Sequence, residues 1–171
     1  MGGRVVFVIG VSGCGKSTVA NALAESLGGQ FLEGDAFHSP ENIANMRAGQ
    51  PLSDDMRWGW LDDLATAADA QAANGHNVFV ACSALKRIYR DRLRVKVGPC
   101  TMILLDGQRL VILDRLNSRT DHYMPPGLLD SQFRDLELPD AFEENMFCID
   151  ADQTPDAVLS AARAIAFSPI N

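Results

Sequence analysis

Short apolar runs alternate along the chain with longer stretches in which apolar residues recur every three or four positions. The first run, Arg4-Val5-Val6-Phe7-Val8-Ile9, is rich in β-branched residues and lacks polar alternation, which suits a strand buried on both faces. Val19, Leu23 and Leu27 then fall four apart on one helical face, with a stop at Gly28-Gly29. Residues 30–33 read as a short second strand running into Gly34-Asp35-Ala36-Phe37-His38. Ser39-Pro40-Glu41 pairs a capping serine with a proline at the first helical position, so a helix starts there and ends near Ala48-Gly49. Acids after Pro51 open another helix, which carries Trp60, Leu61, Leu64, Ala65 and Ala68 and stops at Asn74-Gly75.

The third strand, 77–82, again lacks polar alternation. A basic helix over 85–96, a fourth strand over 101–105 and a helix over about 108–119 follow. After a loop with Pro125-Pro126-Gly127 come a short helix through Leu129, Phe133 and Leu136, a fifth strand over 145–149 and a closing helix over 155–167. Strands alternating with helices predict a parallel α/β sheet covered on both faces. A chain of 171 residues, without repeats or linkers, fits a single domain over 1–171.

Composition narrows the classes. A net charge of −7 argues against a surface that grips nucleic acid or an anionic membrane, while leaving room for a local basic cleft. Cys14, Cys82, Cys100 and Cys148 form no C-x-x-C pair, which predicts free thiols and no zinc. The first strand begins directly after the start of the chain and no apolar run reaches membrane length, so a cytoplasmic protein is expected.

The chemistry is concentrated between the first strand and the first helix. Gly10-Val11-Ser12-Gly13-Cys14-Gly15-Lys16-Ser17 reads G-x-x-x-x-G-K-S, the phosphate-binding loop, and Thr18 completes the nucleotide-binding set. Its glycines let backbone N–H groups turn inward, and the positive end of the following helix adds to the anion site. Lys16 would reach the β- and γ-phosphates and Ser17 would ligate Mg²⁺.

Asp35 and His38 follow the second strand, at the edge where parallel sheets bind ligands. Asp35 is therefore a candidate general base, or a Mg²⁺ ligand through water; as a pair the two also read as a turn acid and a structural histidine. The segment 86–96 carries a net +5, and its N-terminal end puts Lys86, Tyr89 and Arg90 at the ligand edge, while Arg92, Arg94 and Lys96 suit a solvated face. Arg115 and Arg119 are four apart, with His122 beyond; spacing alone favours a pair of surface arginines, and the alternative is groups that spread transition-state charge. Arg57 is a further substrate candidate, and Asp54 and Asp55 suit a helix start without any other role. No acid follows the third strand, which is unlike an ATPase or GTPase but fits a small kinase.

These segments resemble the P-loop gluconokinases, relatives of shikimate kinase and the nucleoside monophosphate kinases. The resemblance rests on G-V-S-G-C-G-K-S at 10–17, G-D-A-F-H at 34–38 and N-I-A-N-M-R-A-G-Q-P-L-S-D-D-M-R-W-G-W-L at 42–61. It continues through C-S-A-L-K-R-I-Y-R-D-R-L-R at 82–94, R-L-N-S-R-T-D-H-Y-M at 115–124 and L-L-D-S-Q-F-R-D-L-E at 128–137. It implies a P-loop NTPase fold with five parallel strands in the order 2-3-1-4-5, a substrate-binding helical region over about 36–75 and a lid over about 117–128. The implied reaction is transfer of the ATP γ-phosphate to the 6-hydroxyl of D-gluconate, with Mg²⁺. Asp35, His38, Arg57, Lys86, Tyr89 and Arg90 then fall toward the sugar acid, and Arg115 and Arg119 near the phosphates with His122 beside them. A homodimer is compatible with the resemblance, though no residue decides it. The sequence departs from the family pattern at Met56, Tyr123 and Cys14. Rival readings are a kinase of another small acceptor, shikimate or a nucleotide, and a nucleotide-sensing module without catalysis.

Overall fold

The computed structural model describes residues 2–118, 126–166 and 168–169. Five strands, β1 (Val5–Ile9), β2 (Gln30–Glu33), β3 (Val78–Cys82), β4 (Thr101–Asp106) and β5 (Met146–Asp150), pair in parallel in the order β2-β3-β1-β4-β5, as expected. The helices are α1 (Lys16–Leu27), α2 (Pro40–Arg47), α3 (Asp54–Ala73), α4 (Arg87–Val97), α5 (Arg109–Asn117), α6 (Pro126–Asp135) and α7 (Pro155–Ala166), with a 3₁₀ turn at Gly34–Phe37.

β1 is buried along its whole length, and its period of two divides the core. Val6 and Val8 pack with Ala20 and Leu23 of α1, Ile112 of α5, Leu129 of α6 and Ala162 of α7. Val5, Phe7 and Ile9 face the other side, against Trp60, Leu61, Leu64 and Ala68 of α3 and Tyr89 and Leu93 of α4. The expected Ser39 cap is present, its hydroxyl accepting from the Asn42 N–H at 3.1 Å, and Ser53 caps α3 in the same way, accepting from the Met56 N–H at 3.4 Å.

Most boundaries fall within one or two residues of the expectation, and the start of α4 has a tertiary cause. α4 starts at Arg87 rather than at 85, because the preceding segment is held by distant partners. The Leu85 carbonyl accepts from the Glu137 N–H at 3.0 Å and from Arg90 Nη1 at 2.8 Å, and the Glu137 carboxylate accepts from the Arg87 N–H at 2.6 Å. A side chain fifty residues away thus caps the helix, satisfying an N–H that no local residue reaches.

Close approach decides one glycine. A Cβ on Gly34 would lie 2.3 Å from the Ala81 carbonyl oxygen, whereas one on Gly59, inside α3, would meet nothing within 4 Å. Gly34→Ala is therefore expected to cost about 1–3 kcal/mol in urea unfolding by forcing β2 away from β3. Gly59→Ala should instead gain about 0.5–1 kcal/mol, by helix propensity alone.

Candidate active site

The loop after β1 ends at Gly15 in the left-handed region (φ 100°), and α1 begins at Lys16, so Lys16, Ser17 and Thr18 form the first helical turn. The N–H groups of that turn have no partners within the helix and face the ligand edge of the sheet. A Cβ on Gly13 (φ 84°) would lie 2.7 Å from Leu116 Cγ, and one on Gly10 would lie 2.8 Å from both Cys14 Sγ and the Leu105 carbonyl oxygen. The loop is thus wedged between α5 and β4. Cys14 is buried in the core, and burial raises the pKa of its thiol. Lys16 Nζ donates to the Val11 carbonyl at 3.0 Å.

Arg115 lies in the last turn of α5, beside the Leu116 that touches the loop, and its charge acts on the Cys14 thiol. Arg119 and His122 lie outside the described residues, as does most of the segment expected to be the lid.

Across the end of β3, Asp35 projects from the 3₁₀ turn with 78% of its side chain exposed. Lys16 and Asp35 both act on the buried Cys82 thiol that ends β3. Burial is the main cause of its rise to about 12; Asp35 adds to it and Lys16 opposes it. His38 lies 4.0 Å from Asp35, measured Nε2 to Oδ1, and stacks on Trp60 with ring centroids 4.1 Å apart. Trp60 Nε1 in turn donates to the Gly34 carbonyl at 2.7 Å, so α3 props the turn that carries Asp35. His38 Nδ1 is buried without a protein hydrogen-bond partner. Burial lowers the His38 pKa against the raising effect of Asp35, with Arg57 also lowering it, so the ring is neutral at pH 7.

The second group gathers around Tyr89. Arg57 sits 5.3 Å and Lys86 Nζ 5.7 Å from its ring centroid. Arg57 donates to the Leu52 carbonyl from Nε at 3.3 Å and from Nη2 at 3.1 Å, and approaches Asp135 of α6 at 3.8 Å. Lys86 Nζ donates to Asp54 Oδ1 at 2.8 Å, and the Tyr89 hydroxyl donates to the same oxygen. These hydrogen bonds, first from Lys86 and then from Tyr89, hold the Asp54 pKa below the usual carboxylate range. Burial, and then the bond to Asp54, push Tyr89 up to about 12. Asp54 therefore does more than open α3. Asp55 and Met56 instead line a separate cleft of about 310 Å³ with Phe37, Asn42 and Trp60, so the departure at Met56 leaves the Asp54 contacts intact.

Arg90 corrects the expectation that it meets the substrate. Its side chain is 1% exposed, and it grips Glu143 from Nε at 2.8 Å and Nη2 at 2.6 Å, while Nη1 reaches the carbonyls of Leu85 and Glu137 at 2.8 and 3.1 Å. Burial alone would raise the Glu143 pKa; hydrogen bonds and charge from Arg90, with Arg94, reverse this and hold it low. Fully engaged and out of the crevice, Arg90 ties α4 to the segment after α6. Sequence spacing could not separate it from Lys86, because both fall on the same face of a basic segment.

Among the described residues no cluster of three metal-binding side chains occurs. Mg²⁺ held against nucleotide phosphates needs only one or two protein ligands, and Ser17 in the first turn of α1 and Asp35 across the crevice suit that role.

A family model described as an AAA domain matches residues 5–139. The gluconokinase of Gluconobacter oxydans is 42% identical over 156 residues, covering 91% of this chain and 87% of that protein. A sugar kinase from Janibacter sp., solved without ligand, is 43% identical with a TM-score of 0.88, covering 97% of this chain and 99% of its own. A solved gluconokinase from Sinorhizobium meliloti is 42% identical with a TM-score of 0.84, covering 96% and 91%.

Lys86 and Arg90 should part company on substitution. Arg90→Ala removes the bidentate partner of buried Glu143, leaving Arg94 at 3.1 Å as its remaining cation, and is expected to cost about 3 kcal/mol in urea unfolding, whereas Lys86→Ala, whose ion pair is partly exposed, should cost less than about 1 kcal/mol. Tyr89 supplies a pH signature. Because its folded pKa is raised from 10.0 to about 12, its contribution to stability is complete below pH 10 and is lost as pH rises through 12. Ultraviolet titration against a Tyr89→Phe blank should find this phenol ionising near 12, and lower in Asp54→Asn.

Proposed function

The chain belongs to the gluconokinase family, and from that premise we propose how its residues divide the transfer of the ATP γ-phosphate to the 6-hydroxyl of D-gluconate, giving 6-phospho-D-gluconate and ADP. The observation that carries the reading is placement: Lys16 opens α1 after β1 and exposed Asp35 follows β2, at the same end of the sheet on the two sides of β3. Backbone N–H groups of residues 13–18 receive the phosphates, with Gly10, Val11 and Ser12 shaping the loop behind them. The Lys16 ammonium leaves the Val11 carbonyl and meets the β- and γ-phosphate oxygens.

Asp35, exposed and opposite the loop, takes the proton of the 6-hydroxyl as that oxygen attacks phosphorus. Neutral His38, held flat on Trp60, has an unpartnered Nδ1 to orient an acceptor hydroxyl. Lys86 and Arg57, 5.7 and 5.3 Å from the Tyr89 ring centre, supply cations for the carboxylate at the far end of the sugar acid. Arg115 spreads the charge that develops on the transferring phosphoryl group, and the resemblance gives Arg119 the same part and His122 a place beside the substrate. Ser17, with Asp35 through water, would hold Mg²⁺, which would supply charge neutralisation at the phosphates.

ADP release from Mg²⁺-ATP should depend on D-gluconate and not on shikimate or nucleoside monophosphates. Release with one of those instead overturns the acceptor assignment, and unstimulated ATP binding alone favours a sensing module. Asp35→Asn should lower kcat by about 10²-fold or more with ATP affinity nearly unchanged; wild-type turnover would make Asp35 a turn residue only. Lys86→Ala should act chiefly on the gluconate KM.

A further inference from the structure

Gln132, in the segment L-L-D-S-Q-F-R-D-L-E, has no part in the reading above, yet it touches the phosphate loop. Its Oε1 accepts from the Ser12 N–H at 2.7 Å, and its Nε2 donates to the Ser12 hydroxyl at 3.1 Å. On the same peptide unit, the Val11 carbonyl accepts from Lys16 Nζ at 3.0 Å. The Val11–Ser12 peptide is therefore held at both ends, by the catalytic lysine on one side and by α6 on the other.

A trans peptide points its carbonyl and its N–H in opposite directions, and no cis bond occurs among the described residues. Whatever fixes the N–H thus also fixes the carbonyl, and with it the resting place of the ammonium. The local backbone does not do this alone. Gly10 (φ 142°) and Gly13 (φ 84°) flank the unit, and glycine offers little resistance to rotation of a neighbouring peptide. The only side chain among the described residues that bonds the Ser12 N–H comes from residue 132, on a helix 120 positions away.

We propose that Gln132 is a positioning residue for phosphoryl transfer: by clamping the Val11–Ser12 peptide from α6, it aims Lys16. The proposal rests on the role given to Lys16 above. Gln132→Met keeps the length and the apolar stem but removes both hydrogen bonds; Gln132→Glu keeps an oxygen to accept from the Ser12 N–H.

The test combines steady-state kinetics with amide hydrogen exchange at Ser12. In Gln132→Met, kcat should fall about tenfold or more, the gluconate KM should stay within about twofold, and Ser12 exchange should accelerate. Gln132→Glu should recover most of the lost turnover and protection. Should the Met variant lose its circular dichroism spectrum, Gln132→Ala takes its place with the same expectation. Undiminished kcat, faster exchange without loss of kcat, or a Glu variant as impaired as the Met variant would each overturn the proposal. Wild-type protein without gluconate-dependent ADP release overturns the parent reading and this one with it, whereas normal wild-type release beside an undiminished Met variant overturns this one alone.

Discussion

A strand with no exposed face cannot shift its register, and β1 is such a strand. Moving it by one residue would exchange Phe7 and Ile9, packed against α3 and α4, with Val6 and Val8, packed against α1 and α7. The phosphate loop begins where β1 ends, so its position is set by the whole core rather than by its own residues. Neighbouring β3 inherits that placement through its pairing of Ile9 with Cys82, and Cys82 lies within reach of both Asp35 and Lys16. The two sides of the reaction are thus measured from one buried axis.

The acceptor side depends on charge as well as packing. Lys86 stands just before α4 and Tyr89 on its first turn; the N-terminal N–H of that helix is capped by Glu137 and its Arg90 is locked to Glu143. A buried ion pair of this kind contributes little net stability compared with an apolar substitute, because desolvation offsets the attraction. Its effect here is positional: the bidentate grip fixes how α4 meets the segment after α6. From α6, Asp135 in turn approaches Arg57. The two cations beside Tyr89 are each held by a carboxylate from another part of the chain, Arg57 by Asp135 and Lys86 by Asp54.

What the sequence made legible was whatever is coded locally. The G-x-x-x-x-G-K-S loop, the Ser39 cap and the alternation of strands with helices each depend on neighbours within a turn or two, and each is found in place. Asp54 was misjudged for the same reason. At the start of a helix, an acid is sufficiently explained by the dipole, and nothing local announces the lysine and tyrosine more than thirty residues on. Arg90 and Lys86 share a helix face and a charge, and only tertiary burial separates them. Gln132 sat in view within a family motif, but its partner is a backbone N–H, and backbone donors leave no mark in a sequence. Trp60 falls among the apolar positions of its helix and packs in the core; that its indole also braces the turn carrying Asp35 depends on a carbonyl, again invisible in the letters.

The contact between Gly13 and Leu116 bears on how inherited variation at this loop should be interpreted. Glycine at such a position is ordinarily credited to the phosphates, which need a backbone free of side chains. In this protein the space a side chain would need is already filled by α5, and the backbone there is left-handed, before any nucleotide arrives. A larger residue would press on the same helical turn that carries Arg115. A damaged allele at position 13 would then resemble a hinge forced out of true more than a missing ligand, and loss of function there would say little about phosphate contact until the seating of α5 had been measured separately.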